Sequence, residues 1–449
     1  MDSEKKIYVF ADFLDFHEEL VGTIYVSQTR GKEFYSFEYS PAWLSHGNMA
    51  LDPDLKLYKG RQYLNDDKYI FGVFADSSPD RWGQKLMKRR EELRAREASE
   101  RPHKLLDSDF LLGVYDEARM GGLRFKTEPE GEFVSNEKDY ATPPWTSLRE
   151  LEEASRSFEN DESELEGKWL KQLLAPGSSL GGARPKASVK APDGSLWIAK
   201  FPSKHDDIDS GAWEMVLHDL AKLCGLNVPD AKTEKFSNLG TTYLVKRFDR
   251  AEDRRIHFAS AMTMLGKTDG ADASDGSSYL EIVSFLKSNG AKPKRDLCEL
   301  WRRIVFSMAV SNTDDHFRNH GFILTEAGWE LSPMYVVNPD IYGEYLSLNV
   351  NSEDSKIDFQ LAIDAAGYYG LGNESAERSV EEIARIVRDN WQILAKKYGI
   401  GRNEVERMRQ AFEGTAMYQS LIKSEQQIAE GKVHDAKESL QSIKDKLTD

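Results

Sequence analysis

Cysteine is almost absent from this chain. Cys224 and Cys298 are the only two, and both sit in apolar, helix-like settings without the Cys or His neighbours that a zinc site places at fixed intervals. Both read as buried packing residues. A surplus of positive charge is missing as well: 60 Lys and Arg stand against 76 Asp and Glu, for a formal net charge of -16. A general nucleic-acid surface needs clustered cations to displace counterions from phosphate, so any DNA contact is expected to be indirect or confined to a patch. Long apolar runs are lacking too. No stretch approaches the roughly 18 residues of a membrane span, and Met1-Asp2-Ser3-Glu4-Lys5-Lys6 leads into strand-like Ile7-Tyr8-Val9-Phe10 instead of a signal-peptide core. A cytoplasmic location with no membrane partner is the expectation. No internal repeat or low-complexity segment is found. What is present suffices for a real core: 40% of the residues are hydrophobic and 11% aromatic, in a chain long enough for about two or three domains.

The first part reads as short alternating strands, Ile7 to Phe13, Leu20 to Val26 and Glu33 to Tyr39. The pattern changes at Phe71-Gly72-Val73-Phe74-Ala75-Asp76-Ser77-Ser78-Pro79-Asp80-Arg81-Trp82-Gly83, where Ser-Ser-Pro-Asp announces a helix running to about Ala98. Residues 1–150 are therefore expected to form a mixed α/β subdomain. An acidic, polar stretch between about Thr127 and Lys168, with Pro143-Pro144, places the boundary near residue 150. Residues 151–255 then give a glycine-rich turn, a hairpin ending in Leu196-Trp197-Ile198-Ala199-Lys200, an amphipathic helix from Trp213 to Leu223, and a strand from Thr242 to Asp249. Helices dominate residues 256–414: Asp296 to Ser311, Val380 to Tyr398 and Glu404 to Phe412. A charged helical tail is expected over 415–449.

Three segments carry chemistry. In Asn312-Thr313-Asp314-Asp315-His316-Phe317-Arg318-Asn319, Asp314 and Asn319 stand five residues apart, just before the strand-like Gly321-Phe322-Ile323-Leu324. One carboxylate to accept a hydroxyl proton and one amide oxygen to ligate Mg²⁺ are what phosphoryl transfer needs at that interval; a polar turn at a helix end would use the same residue types. Gly181-Gly182-Ala183 leaves room for backbone N–H groups to approach an anion, with Lys186 as an added point charge, although a hairpin turn would also use a Gly-Gly pair. Lys200 ends an apolar strand, where an inward lysine needs an anion and an outward one would snorkel. The succession of glycine-rich turn, strand lysine, helix, strand, helical region and Asp-x₄-Asn is the linear order of a kinase fold.

With these residues in view, the chain resembles the HipA-family serine/threonine kinases, the toxin components of bacterial type II toxin–antitoxin pairs. The resemblance runs through Ser179-Leu180-Gly181-Gly182-Ala183-Arg184-Pro185-Lys186, Ile198-Ala199-Lys200, Val245-Lys246-Arg247-Phe248-Asp249-Arg250, Thr313 to Asn319 and Leu331-Ser332-Pro333-Met334-Tyr335. Phe74 to Gly83 is similar to that family's N-terminal subdomain. The resemblance implies an α+β, bilobal protein-kinase-like fold with a mostly helical C-terminal lobe, and ATP and Mg²⁺ as cofactors. It makes Asp314 the catalytic base, Asn319 a metal ligand and Lys200 the phosphate lysine. Gly181, Gly182, Ala183, Arg184, Pro185 and Lys186 fall in the phosphate-covering loop, Lys246, Arg247 and Phe248 at the adenine hinge, and His316 and Tyr335 among the nucleotide-binding positions. His316 is expected to brace the loop and Asp315 to serve structure. Ser179 matches a serine whose autophosphorylation ejects the loop, with Ser178 adjacent; phosphate there would repel ATP. The implied partners are a small helix-turn-helix antitoxin, through which DNA is reached indirectly, and a protein substrate belonging to the translation machinery.

One departure stands out. After Leu331-Ser332-Pro333-Met334-Tyr335 the family carries a Mg²⁺-binding aspartate, and this chain carries Val336. Valine offers no oxygen to a hard cation. Impaired catalysis is expected ahead of replacement by Asp340, four residues along and past an Asn338-Pro339 turn. Two other classes compete with the kinase toxin. One is a catalytically silent kinase-fold module that acts through an antitoxin–DNA complex; the other is a small-molecule phosphotransferase, for which no compact substrate pocket speaks.

Overall fold

The computed structural model describes residues 4–45, 50–64, 68–136, 141–160, 173, 182–252, 254–418, 420 and 424. The N-terminal unit is an antiparallel sheet in the order β4-β3-β2-β1-β5, from β1 (Lys5–Ala11), β2 (Glu19–Thr29), β3 (Lys32–Tyr39), β4 (Gln62–Tyr63) and β5 (Leu123–Lys126). Period-two alternation sets its buried face, where Ile7 pairs with Ile24 and Ile24 with Phe37, all three fully buried. The short helices α1 (Pro41–Ser45) and α2 (Gly72–Asp76) follow, then α3 (Arg81–Glu97) and α4 (Asp107–Leu112). Pro79 and Asp80 start α3 as the sequence predicts: the Asp80 carboxylate accepts the Gly83 amide as N-cap, and Arg94 and Arg96 sit in the last turn against the helix dipole.

A second sheet, β6-β7-β9-β8, forms the upper lobe from β6 (Lys186–Lys190), β7 (Leu196–Lys200), β8 (Ala231–Glu234) and β9 (Thr242–Lys246). Its two faces are separated by the same alternation. Ala187, Val189, Ala199 and Leu244 pack with Leu148, Leu151 and Ala154 of α5 (Leu148–Glu159) and with Trp82 and Leu86 of α3. Ile198, Tyr243 and Val245 pack with Met215 of α6 (Ser210–Leu223). The boundary expected near residue 150 falls inside α5, and Pro144 already bridges to Lys190. The lobe therefore begins before the polar stretch ends. The strand expected to run to Asp249 stops at Lys246, because the next residues leave the sheet to tie the lobe to the N-terminal unit.

The two-stranded hairpin of β10 (Arg250–Ala251) and β11 (Arg254–Arg255) leads to the lower lobe, which holds the sheet β12-β13-β14 (Phe258–Ser260, Gly321–Thr325, Gly328–Leu331), the short α7 (Ala261–Met264), and helices α8 (Tyr279–Asn289), α9 (Pro293–Ala309), α10 (Phe359–Ala365), α11 (Asn373–Lys397) and α12 (Arg402–Met408). Trp301, Ile304 and Val305 of α9 and Val380, Ile383 and Val387 of α11 are fully buried in one core. Helix α9 starts three residues earlier than expected, with Pro293 in the first turn where its missing N–H costs nothing. Helix α11 starts seven residues before Val380. Most of the charged tail lies outside the described residues.

The N-terminal unit touches both lobes. Arg247 donates to the carbonyls of Ala118 and Arg119, and its buried partner Asp249 accepts the Gly121 amide at 2.8 Å. On the lower lobe, Asp76 Oδ2 accepts the Ser260 amide at 2.7 Å, and the Phe13 ring stacks on His257 at 4.7 Å between centroids.

Candidate active site

Lys200 is the last residue of β7 and is nearly buried, at 8% exposure. Its cross-strand neighbours are Lys186 on β6 and Tyr243 on β9. An ammonium so placed needs an anion, and Glu214 of α6 supplies it: Nζ donates to Oε1 in a pair that is itself buried. The Tyr243 ring lies 5.5 Å from the same Nζ.

Below it, the polar loop between α9 and β13 is pinned from beneath. Asp315 is 2% exposed and accepts the Tyr279 hydroxyl at 2.7 Å, while His320 Nε2 stands 2.9 Å from its other oxygen. Burial works to raise the Asp315 carboxyl, but His320 and the Tyr279 hydroxyl outweigh it and hold the group below its ordinary value. Asp315 is thus an anchor, and Asp314 next to it faces outward with its side chain 59% exposed. His316 Nδ1 accepts the Arg318 amide at 3.3 Å, and its Nε2 lies 3.4 Å from Asp314 Oδ1. Asn319 donates Nδ2 to the Asp314 carbonyl, which leaves Oδ1 as the end available to a cation.

These elements meet at a cleft of about 460 Å³ between the lobes, lined by Gly182, Ala183, Lys186, Lys200, Glu214, Asp314, His316, Asn319 and Val336 among others. Arg81, Arg184 and Arg318 also line it, and each of its five Lys and Arg side chains has a carboxylate partner: Asp269 for Arg81 and Arg318, Asp206 for Arg184, Asp80 for Lys186 and Glu214 for Lys200. These paired cations are the groups that a polyanion would meet on entering the cleft. An apolar slot opens beside it, lined by Met120, Ile198, Pro229, Val245, Phe248, Tyr335 and Val336 with Lys200 at its edge. At about 20 Å³ the slot is narrow, with room for about one water.

Several sequence-predicted residues do other work. Lys186 Nζ is buried against Asp80 Oδ2 at 2.8 Å and donates to the Gly182 carbonyl at 2.8 Å. Arg184 is held by both oxygens of Asp206 at 2.6 Å. Pro185 is absent from the cleft lining, and its carbonyl accepts the Phe201 amide. The Arg247 guanidinium is committed to Asp249 and the N-terminal unit, so its side chain is structural. The amides of Lys246 and Arg247 donate to Asp230 and Leu196, which removes them as partners for a base edge at the hinge. Tyr335 packs on Phe248 at 5.6 Å between centroids and donates its hydroxyl to the Arg318 carbonyl at 2.7 Å, bracing the loop from the slot side. Ser179 and Gly181, with Ser178, lie outside the described residues.

The cation site can be tested on its donors. Val336 presents carbon to the cleft and packs against the cluster of Met120, Phe258 and Tyr335. Asp340 does not line the cleft; its oxygens accept the Thr313 hydroxyl and the Tyr342 amide, both at 2.8 Å. Among the described residues no group of three or more His, Cys, Asp or Glu is arranged to hold a metal. Asn319 alone does not make a Mg²⁺ site, so the residues present do not fit that ion. Sequence reasoning missed Glu214, Asp80, Arg81, Asp269 and Arg318. The only local hint was a glutamate amid the apolar run Trp213-Glu214-Met215-Val216-Leu217.

The lysine–glutamate pair of a sheet lobe set over an Asp-x₄-Asn loop of a helical lobe defines a protein-kinase-like fold, here with an added N-terminal subdomain. The HipA N-terminal domain model matches residues 15–107 and the HipA-like C-terminal domain model residues 178–391, in that order. The chain belongs to the HipA family. It is 26% identical over 248 residues to the serine/threonine-protein kinase toxin HipA of Shewanella oneidensis, covering 47% of this chain and 55% of that protein. It is 26% identical over 208 residues to the putative kinase Y4dM of Sinorhizobium fredii, covering 43% and 49%. The chain thus spans about half the length of the curated relatives it matches. A chain of the solved Shewanella oneidensis MR-1 complex of HipA, HipB and operator DNA shares the fold at a TM-score of 0.63 and 17% identity, covering 91% of this chain and 95% of that one. No described helix is long and apolar enough to cross a membrane.

Proposed function

We propose that the chain is an ATP-using protein serine/threonine kinase toxin of a toxin–antitoxin pair, with its dependence on Mg²⁺ compromised at Val336. The observation that carries this reading is the Lys200–Glu214 pair facing Asp314 and Asn319 across one cleft. When bound, ATP supplies the phosphoryl group. Lys200, fixed by Glu214, orients its phosphates, and the cations of the cleft offset their charge. Asp314, exposed and steadied by His316, accepts the proton of an incoming serine or threonine hydroxyl. The acidic surface suits a basic partner, and the Shewanella complex with HipB and operator DNA supports a small helix-turn-helix antitoxin that brings this protein to DNA indirectly. A protein of the translation machinery is the substrate class the family resemblance favours.

Val336 favours a second reading, a catalytically silent module that keeps the fold and works by holding the antitoxin. Phosphate transfer from radiolabelled ATP to protein, by this chain and by Val336→Asp, separates the two. Transfer that appears only in the variant supports a kinase disabled at one position, and transfer by neither supports the silent module.

A further inference from the structure

Lys186 opens β6 directly across from Lys200, so two cross-strand lysines line the same cleft from adjacent strands. Each has its own carboxylate from a different element: Glu214 of α6 for Lys200, and Asp80 of the N-terminal unit for Lys186. The second pair spans 106 residues and both of its side chains are 3% exposed. Asp80 serves two masters. Its Oδ1 accepts the Gly83 amide at 2.9 Å to cap α3, and its Oδ2 accepts Lys186 Nζ at 2.8 Å. Lys186 passes the connection on by donating to the Gly182 carbonyl at 2.8 Å. Trp82, two residues beyond Asp80, closes the loop by donating Nε1 to the Lys186 carbonyl at 3.0 Å. The described end of the glycine-rich segment is therefore fastened to the first turn of α3 through side chain and backbone together.

We propose that Asp80 is a positioning residue for the glycine-rich loop, acting through Lys186 and the Gly182 carbonyl, so that the N-terminal unit sets the loop geometry over the nucleotide phosphates. The inference rests on reading the cleft as a nucleotide site. Lys186 bound to Asp80 stays beside Lys200 without unshielded repulsion, and the Gly182 carbonyl, tied to an ammonium, holds the described end of the loop in one place. Without Asp80, a buried ammonium next to Lys200 has to leave, and the loop leaves with it.

The test uses the full chain with Asp80→Asn, Lys186→Met and the double variant. Asparagine remains a competent N-cap, so α3 keeps its start. ATP binding by calorimetry is expected to weaken tenfold or more in Asp80→Asn. In the Lys186→Met background the same change is expected to weaken it less than twofold further, because Asp80 acts through Lys186. Hydrogen–deuterium exchange over residues 182–190 is expected to rise at least tenfold in Asp80→Asn, with β8 and β9 unchanged. This second readout needs no nucleotide, so it judges the tether even where the chain binds no ATP. Where Asp80→Asn does not fold, Trp82→Phe removes the Lys186 carbonyl contact from the same side and is expected to raise the same exchange. Unaltered exchange over 182–190, or losses of affinity that multiply in the double variant, would overturn the proposal.

Discussion

Restoring a carboxylate at position 336 is the sharpest perturbation the site offers. Val336 is half-buried and packs with Met120, Phe258 and Tyr335, beside Phe248. In the metal-free protein, Val336→Asp places a charge against these apolar groups, and Lys200 nearby is already committed to Glu214. The expected cost is about 1 to 3 kcal/mol. With Mg²⁺ the new carboxylate and Asn319 Oδ1 form a two-ligand site, and an ion at about 100 times its dissociation constant returns roughly 2.7 kcal/mol. Scanning calorimetry should therefore find Val336→Asp melting below the parent in a chelator and rising by about 5 to 11 °C with Mg²⁺ and ATP, at roughly 2 to 4 °C per kcal/mol for a domain-sized cooperative unit. The parent should respond to ATP but scarcely to the metal. Phosphoryl transfer should increase about 100-fold or more, equivalent to about 2.7 kcal/mol in the barrier. Equal metal-dependent stabilisation of both proteins, or equal transfer rates, would refute the reasoning and mean that another oxygen completes the site.

Three further outcomes are expected. In the Val336→Asp background, Asp314→Asn should abolish transfer while melting temperature and ATP affinity stay nearly unchanged, since the Asp314 side chain is 59% exposed; activity equal to that of the background disproves its role as base. Mass spectrometry of the active background should find phosphate in the Ser178-Ser179 segment, and Ser179→Ala should prevent self-inhibition; phosphate found only elsewhere removes that switch. His257 is buried, neither ring nitrogen finds a partner among the described residues, and burial pushes it from 6.5 down to about 3. The folded protein keeps it neutral and the unfolded chain protonates it, so its contribution is full above pH 6.5 and is lost as pH falls toward 3. At about 1.4 kcal/mol per pH unit the loss reaches about 2 kcal/mol at pH 5; His257→Phe should flatten that slope in denaturant titrations, and an identical slope in both proteins excludes His257 as its source.

Local pattern announced much of this fold. Alternation marked β1 to β3 because one face of that sheet is buried, and Pro79-Asp80 marked the start of α3 because capping is a contact between residues three apart. The Asp-x₄-Asn loop was legible for the same reason, since the Asn319 side chain answers the Asp314 backbone within one turn of chain. The partners of the two cleft lysines were hidden. Glu214 lies 14 residues from Lys200, and Asp80 lies 106 from Lys186. Nothing in the periodicity of a helix or strand says which distant carboxylate will meet a buried ammonium. Arg247 misled for a related reason: in the sequence it neighbours the hinge, but its guanidinium is drawn backward by Asp249 and the carbonyls of Ala118 and Arg119.

The attachment of the N-terminal unit to both lobes has a mechanical consequence. Two bodies joined by one flexible connection rotate about many axes. Here a second connection runs in parallel with the hinge, fixed above by Asp80 and Asp249 and below by Asp76 and Phe13. Two attachments leave one easy rotation, about the line through them, and every other movement requires a buried ion pair or a stacked ring to part. The dwell time of a nucleotide in such a cleft would be governed by how fast those remote contacts yield, so turnover could be tuned by residues that never approach the phosphates.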